Sequence, residues 1–307
     1  MRVAVTGAAG RLGRALVAAL EEAPYTGPFG PIAWTREDFD LDAPDNVAGR
    51  LERDRIELVI HAAAWTDVDA CAREPELAMA RNAGATGVLA AACARGGRDL
   101  VVVSTNEVFD GRRTDGRGYT PTDEPAPANP YGASKLAAER AAAAAYADAA
   151  TAGWLSVVRT SWLFGAGKPD FPARILGAAR HAIEQGNPLR VVDDEWGCPT
   201  YTADLADAIV ELIGAGAVEG IHHLVNGPAA TRADWARDVV ARAGLDVPIE
   251  PIPGSSWERA STPPRWGVLE PTAPPSGEPL RPWPEAMADY TPHLLRAHAE
   301  SPRVGSL

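Results

Sequence analysis

The sequence predicts an α/β fold: a doubly wound parallel sheet with a smaller C-terminal domain. Three observations carry this. Short apolar runs at residues 2–6, 31–34, 57–60, 99–103 and 154–160 are separated by longer stretches, several rich in Ala and Leu, that favour helix. A glycine triplet, Gly7-x-x-Gly10-x-x-Gly13, sits between the first run and the helical stretch that follows to about residue 23. A tyrosine and a lysine, Tyr131 and Lys135, stand four apart at a helix start.

The first strand runs straight into the glycine triplet. A loop of this spacing lets backbone amides and a helix N-terminus approach a pyrophosphate closely. Gly7, Gly10, Arg11, Leu12 and Gly13 are therefore expected at a dinucleotide. The second strand ends in Thr35-Arg36-Glu37-Asp38. At that strand end a Rossmann fold meets the adenosine ribose, where an acid selects the free 2′-hydroxyl and an arginine accommodates a 2′-phosphate. Thr35 and Arg36 come first, which favours NADPH. Asp38 and Asp40 keep NADH open, and Asp40 with Leu41 can instead flank the adenine. The third strand ends in His61-Ala62-Ala63-Ala64-Trp65-Thr66-Asp67. The small side chains of Ala62, Ala63 and Ala64 permit close approach to the cofactor. Asn82, in the following helix, is a candidate for holding that loop, and His61 reads as structural.

The fourth strand ends in Ser104-Thr105-Asn106-Glu107-Val108-Phe109-Asp110-Gly111. Ligands of open α/β sheets lie outside the carboxyl ends of the strands, so the Thr105 hydroxyl can donate to a substrate oxygen. Further on, Asn129 suits a helix N-cap and Pro130 the first helical position. The Ala-rich run 133–150 then favours helix. Residues i and i+4 of a helix share a face, so Tyr131 and Lys135 point at one spot. A phenol has a pKa near ~10 and is a poor acid or base at neutral pH. A nearby ammonium lowers that pKa, and the pair can then exchange a proton with an alcohol or ketone oxygen. The competing reading is a surface Tyr and Lys on an Ala-rich helix. Against it stands the company they keep: a phosphate loop, a strand-end hydroxyl and a Tyr/Lys pair, in the order a reductase requires.

Composition narrows the field. With 307 residues and 46% hydrophobic content, the chain can bury one large core or two smaller ones. Its formal net charge of -12, without a lysine/arginine cluster, argues against nucleic acid as a partner. No apolar run approaches the ~20 residues that span a bilayer. The first residues lack the apolar core and cleavage site of a signal peptide. Cys71, Cys93 and Cys198 are far apart, with no zinc or disulfide spacing, and are expected reduced in a cytoplasmic protein without a metal site. The sequence leaves a homodimer open.

Together these blocks resemble the extended short-chain dehydrogenases/reductases and, more narrowly, the dTDP-4-dehydrorhamnose reductase family. The resemblance rests on residues 6–13, 62–69, 104–111 and 129–135, on Arg159-Thr160-Ser161-Trp162-Leu163-Phe164-Gly165, and on residues 191–201. Pro264-Arg265 with Val268-Leu269 is a weaker echo of the family's C-terminal Arg-Pro segment. It implies NAD(P)H-dependent reduction of a dTDP-4-keto-6-deoxyhexose. Tyr131 would protonate the C4 alkoxide, Lys135 would lower the Tyr131 pKa and hold the nicotinamide ribose, and Thr105 would bond the C4 oxygen. It further implies substrate contacts at Thr66, Val68, Asn106, Glu107, Val108, Trp162, Phe171, Trp196, Pro199 and Thr200. This chain departs from the family pattern where Asn106 and Glu107 replace Asp and Tyr. It also departs at Asp170 (usually Asn), Cys198 (usually Ser) and Trp65 (more often Tyr), and these changes leave the choice of sugar open.

The expected division is a dinucleotide-binding domain over residues 1–165, to which 191–225 return, and a mainly substrate-binding domain over 166–307. Helices are expected at 171–185 and 202–214, with a strand at 221–225 rejoining the sheet. From residue 248 the chain is rich in Pro and Gly, which predicts loops and short helices over the substrate site, with the last dozen residues frayed. Two rival functions remain. A sugar-nucleotide dehydratase or epimerase of the same superfamily would use Thr-Asp-Glu after the fourth strand. Here Asn106 keeps Glu107 as a base but removes the acid. A non-catalytic, cofactor-binding regulatory subunit, resembling that of methionine adenosyltransferase, would not need an intact Tyr131/Lys135 pair.

Overall fold

The computed structural model describes residues 1–150, 152–216 and 219–300. The first half runs through β1 (Val3–Thr6), α1 (Arg11–Glu21), β2 (Ile32–Trp34), α2 (Val47–Arg53), β3 (Leu58–His61), α3 (Val68–Arg73) and α4 (Pro75–Ala78). A π-helical turn, Met79–Gly84, leads into α5 (Ala85–Arg95), β4 (Asp99–Thr105), α6 (Pro130–Ala147) and β5 (Leu155–Thr160). The second half comprises β6 (Leu163–Phe164), α7 (Phe171–Gln185), β7 (Leu189–Val192), β8 (Trp196–Gly197), β9 (Thr200–Tyr201), α8 (Thr202–Ala215) and β10 (Gly220–His223). It ends with β11 (Ala230–Thr231), α9 (Arg232–Arg242), β12 (Ile249–Ile252) and α10 (Trp283–Glu300).

The central sheet has the order β10-β5-β4-β3-β1-β2, and each pair in it is parallel. The chain leaves β1 toward β2 on one side and returns to β3 on the other. The strand order therefore reverses at β1, and the crevice outside the ends of β1 and β3 is where such sheets take ligands. Alternate strand residues feed opposite faces. Val3, Val5, Leu58 and Ile60 pack with Leu16 and Leu20 of α1 and Leu205 and Ile209 of α8. Ala4, Val59, Leu100 and Val102 pack with Leu51 of α2, Leu89 of α5 and Ala142 of α6. A separate core joins α7, α9 and α10 through Leu176, Ala179, Trp235, Val239, Met287 and Tyr290.

Three expectations are corrected. β4 runs on to Thr105, so that residue ends the strand. The returning strand starts at Gly220 and pairs with β5 only as far as His223, while Leu224 and Val225 enter two different cores. Residues 283–300 form one long helix, where loops and short helices were expected. Trp283, Ala286, Met287, Tyr290 and Leu294 recur at three- and four-residue spacing, and that apolar stripe packs into the second core. Residues 296–300 of the stretch expected to fray lie in this helix, and the rest of it lies outside the described residues. No helix among the described residues is long and apolar enough to cross a membrane.

Candidate active site

At the end of β1, Gly7 takes a left-handed turn (φ +65°), and Gly10 caps α1. A Cβ on Gly7 would stand 2.9 Å from the Ala63 backbone. Only a glycine lets the loops after β1 and β3 come this close. Gly13 instead seats the helix on the loop, since a Cβ there would lie 2.2 Å from the Gly7 carbonyl oxygen. Thr6 Oγ1 joins the two loops further, 2.8 Å from His61 Nδ1 and accepting from Ala63 N–H at 3.1 Å. His61 is buried and 3.0 Å from Thr86 Oγ1. Burial, helped by the Lys135 charge, pushes its pKa down to about 3, so it stays neutral and structural.

A groove of about 410 Å³ opens over these loops. Its walls include Gly7, Gly10, Thr35, Arg36, Asp40 and Leu41, together with Ala62, Ala63 and Ala64. Sequence reasoning missed its cations Arg81 and Lys168, which come from distant segments. Arg36 bonds Asp42 at 2.9 Å, and Arg81 grips the same carboxylate at 2.6 and 2.9 Å. Asp38 accepts from Thr35 N–H and from Arg50 at 2.5 Å, so it is spent inside the fold. The groove, its glycine floor and its cationic rim fit a dinucleotide phosphate.

Beside it lies a cavity of about 310 Å³. Asn129 caps α6 by accepting from Gly132 N–H at 2.9 Å, which starts the helix at Pro130 and puts Tyr131 and Lys135 one turn apart. Both residues line this cavity with Thr105, Arg11, Leu12, Thr66, Val68, Asn106, Glu107 and Trp162. Burial drives the Tyr131 pKa above its ordinary value, the Glu107 carboxylate adds to this, and the Thr105 hydroxyl opposes it. The lowering expected from Lys135 is not found: the group that opposes burial at Tyr131 is the Thr105 hydroxyl. Lys135 is itself pushed down to about 8 by burial, against the pull of Glu139. Trp162 sits in the left-handed region (φ 44°), stacked parallel to Trp235 with the Arg232 guanidinium 3.6 Å above its ring.

Five expected substrate contacts lie elsewhere. Val108 is fully buried with Phe109 and Tyr119. Pro199 and Thr200 are buried where β9 pairs with β6. Trp196 lies in β8 against Trp266, and Phe171 stacks on Trp235 in the second core. None of the five lines the Tyr131 cavity or the one that continues from it. Asn106 does reach the cavity, but its Nδ2 is committed to the Gly267 carbonyl at 3.0 Å.

A third cavity continues from the second through Thr66, Val68 and Glu107. It is lined by Arg174, Arg232 and Arg259, which sequence reasoning missed because each is an isolated arginine. One signal was available: Thr231 and Asp234 form a capping box that marks the start of α9, where Arg232 stands. Burial lowers the Arg232 pKa to about 10, against Glu195 and Glu107. The C-terminal segment closes this side. Ser261 bonds Asp69 Oδ1 through N–H and Oγ at 2.9 and 2.6 Å, and the Thr262 carbonyl accepts from Asn129 at 3.1 Å.

Comparison with known proteins agrees with this architecture. A family model described as RmlD substrate binding domain matches residues 1–295. The dTDP-4-dehydrorhamnose reductase of Mycobacterium tuberculosis is 38% identical over 303 residues, covering 94% of this chain and 91% of that protein. A dTDP-4-keto-6-deoxy-D-glucose reductase of Streptomyces niveus is 36% identical, covering 86% and 87% respectively. Among solved structures, dTDP-4-dehydrorhamnose reductase of Bacillus anthracis in complex with NADP superposes with a TM-score of 0.83 at 27% identity, covering 95% of this chain and 99% of that one. On the extent of these matches, the chain belongs to the dTDP-4-dehydrorhamnose reductase family.

Proposed function

We propose that this protein uses NADPH to reduce the 4-keto group of a dTDP-4-keto-6-deoxyhexose. The observation that carries the reading is the convergence of Thr105, Tyr131 and Lys135 on one cavity adjoining the glycine-floored groove. NADPH, when bound, supplies the hydride that reaches the C4 carbon. Gly7, Gly10, Ala62 to Ala64 and Lys135 would hold it, with Arg36 and Arg81 at the adenosine end. Thr105 bonds the C4 oxygen. Tyr131 gives its proton to the alkoxide that forms there. A raised pKa suits this role, because the hydroxyl stays protonated until an alkoxide, a far stronger base, meets it. Lys135 then offsets the charge left on the phenolate. Arg174 and Arg232 line the continuing cavity and suit a diphosphate, with Arg259 beside them paired to Glu195. On this reading the cofactor belongs to residues 1–165 with 191–225, and the nucleotide end of the sugar mainly to residues 166–307.

The test is direct: mix the protein with NADPH and either dTDP-4-keto-6-deoxyglucose or its 3,5-epimer. The reading expects NADPH oxidation and a C4 alcohol from at least one of them. No oxidation with either sugar would overturn it, as expected for a dehydratase or a regulatory subunit.

A further inference from the structure

We propose that Glu107 gives this site a second activity, proton transfer at carbon: it removes and returns a hydrogen on a carbon flanking the 4-keto group, exchanging it with solvent. The inference rests on the reading that the carbonyl oxygen sits at Thr105 and Tyr131.

Position comes first. Glu107 follows the strand-end threonine by two residues, and its N–H donates to Thr105 Oγ1 at 3.2 Å. Its side chain lines both the Tyr131 cavity and the arginine-lined cavity that continues from it. A ligand whose carbonyl meets Tyr131 and whose phosphates meet Arg232 must pass alongside this carboxylate. The ring carbons next to the carbonyl lie on that path.

The carboxylate is also held for use. Oε2 accepts from Asn129 Nδ2 at 2.6 Å, and Asn129 is the cap of the helix that carries Tyr131. Oε1 takes no hydrogen bond among the described residues. One oxygen thus anchors the group to the catalytic helix and the other is available as a base. Burial raises the Glu107 pKa against the Asn129 bond, which strengthens the carboxylate as a base.

The chemistry balances without a redox partner. The C–H bond beside the ketone breaks, and its proton goes to Glu107 Oε1. The electron pair forms the enolate C=C bond, and the carbonyl π pair moves onto O4. Thr105 and Tyr131 stabilise that oxygen as they would the alkoxide of reduction. The proton on Glu107 exchanges with water and returns to carbon. Return from Glu107 to the face it left gives isotope exchange with retention.

The experiment incubates the wild-type protein in D₂O with dTDP-4-keto-6-deoxyglucose and NADP⁺, which has no hydride to give. Mass spectrometry follows deuterium, and NMR locates it at C3 or C5. The expected result is incorporation about 10²-fold or more above the rate without protein, the range typical of a positioned base. Glu107→Gln should fall to the background rate, while Glu107→Asp, which keeps a carboxylate of shorter reach, should retain part of the activity. Background incorporation by a wild-type preparation that oxidises NADPH would overturn the proposal and leave the reductase reading standing; Glu107 would then serve only to bond a ring hydroxyl. Exchange without NADPH oxidation would support it and remove the reductase reading. Full exchange by Glu107→Gln would overturn the assignment to this residue.

Discussion

Asn82 ties the loop after β3 to the helix of the Tyr/Lys pair through Ser134. Its Nδ2 donates to Ser134 Oγ and to the Trp65 carbonyl, both at 3.0 Å, and its Oδ1 accepts from Trp65 N–H at 2.8 Å. The amide lies in the π-helical turn, whose extra backbone length re-aims one side chain without ending the helix. Asn82→Ala strips the Trp65 N–H of its partner, while Ser134 Oγ keeps the Tyr131 carbonyl and the Trp65 carbonyl keeps the Cys71 thiol. The lost bond costs about 1–3 kcal/mol where nothing replaces it. The expected result is a lower urea midpoint and weaker NADPH binding together. A midpoint shift with unchanged NADPH affinity would show that the loop does not depend on this clamp.

Tyr131→Phe removes one oxygen and keeps the ring. Folding and cofactor binding should survive, while turnover falls by about 10²–10⁴-fold, the usual share of general acid catalysis. Thr105→Val should cost less, since on the proposed reading Thr105 would orient and polarise but transfer no proton. Near-normal turnover by Tyr131→Phe on a 4-keto sugar would reduce the motif to a helix start.

Lys135 predicts a pH effect. With its pKa pushed down to about 8 in the free protein, it is cationic below that pH and neutral above it. NADPH affinity should therefore weaken as pH rises through about 8, and Lys135→Met should bind more weakly and show no such step. For folding the sign is opposite. Between about 8 and the ordinary lysine value the unfolded chain binds more protons, so this group adds stability as pH rises. An NADPH titration that is flat across this window in the wild type would contradict the assignment.

Asp42 stands where Arg36 and Arg81 would meet a 2′-phosphate, and it engages both. Its carboxylate competes with that phosphate. Asp42→Ala should raise the preference for NADPH over NADH about tenfold, and Arg36→Ala should lower it. Comparing kcat/KM for the two cofactors in three proteins decides the matter. Identical ratios would place the 2′-position away from these arginines.

Deep between α6, β4 and β5, Arg159 grips Glu139 at 3.1 and 2.7 Å, and Ser104 adds a third bond at 2.5 Å. Glu139→Ala leaves a guanidinium buried without its counter-charge, a loss of about 3–5 kcal/mol. Denaturant unfolding should show it, and Glu139→Gln should recover part. A drop under ~1 kcal/mol would mean that water enters the seam.

Much of the site was legible where function follows local chain geometry. Asn129 and Pro130 announce the helix start that orients Tyr131 and Lys135, and the glycine triplet announces the β1–α1 turn. Thr105 was readable because strand ends define the ligand side of such a sheet. The misplacements share a cause: Trp196 is turned by pairing with Thr231 and by its N–H bond to the Arg265 carbonyl, contacts between segments far apart in sequence. Nothing near Trp196, Pro199 or Thr200 tells which face they present. Arg174, Arg232 and Arg259 likewise acquire a common purpose only when α7, α9 and the C-terminal segment meet.

The bonds from Ser261 to Asp69, from Asn129 to Thr262 and from Asn106 to Gly267 also bear on the biogenesis of the protein. A ribosome delivers the chain from its N-terminus, and contacts across such sequence separations form late. The dinucleotide groove has most of its walls once β5 has emerged. The cavity that continues from Tyr131 lacks Trp257, Arg259, Ser261 and Pro263 until that segment is made. A nascent chain in between therefore carries most of the groove beside a cavity that is still open to water on one side.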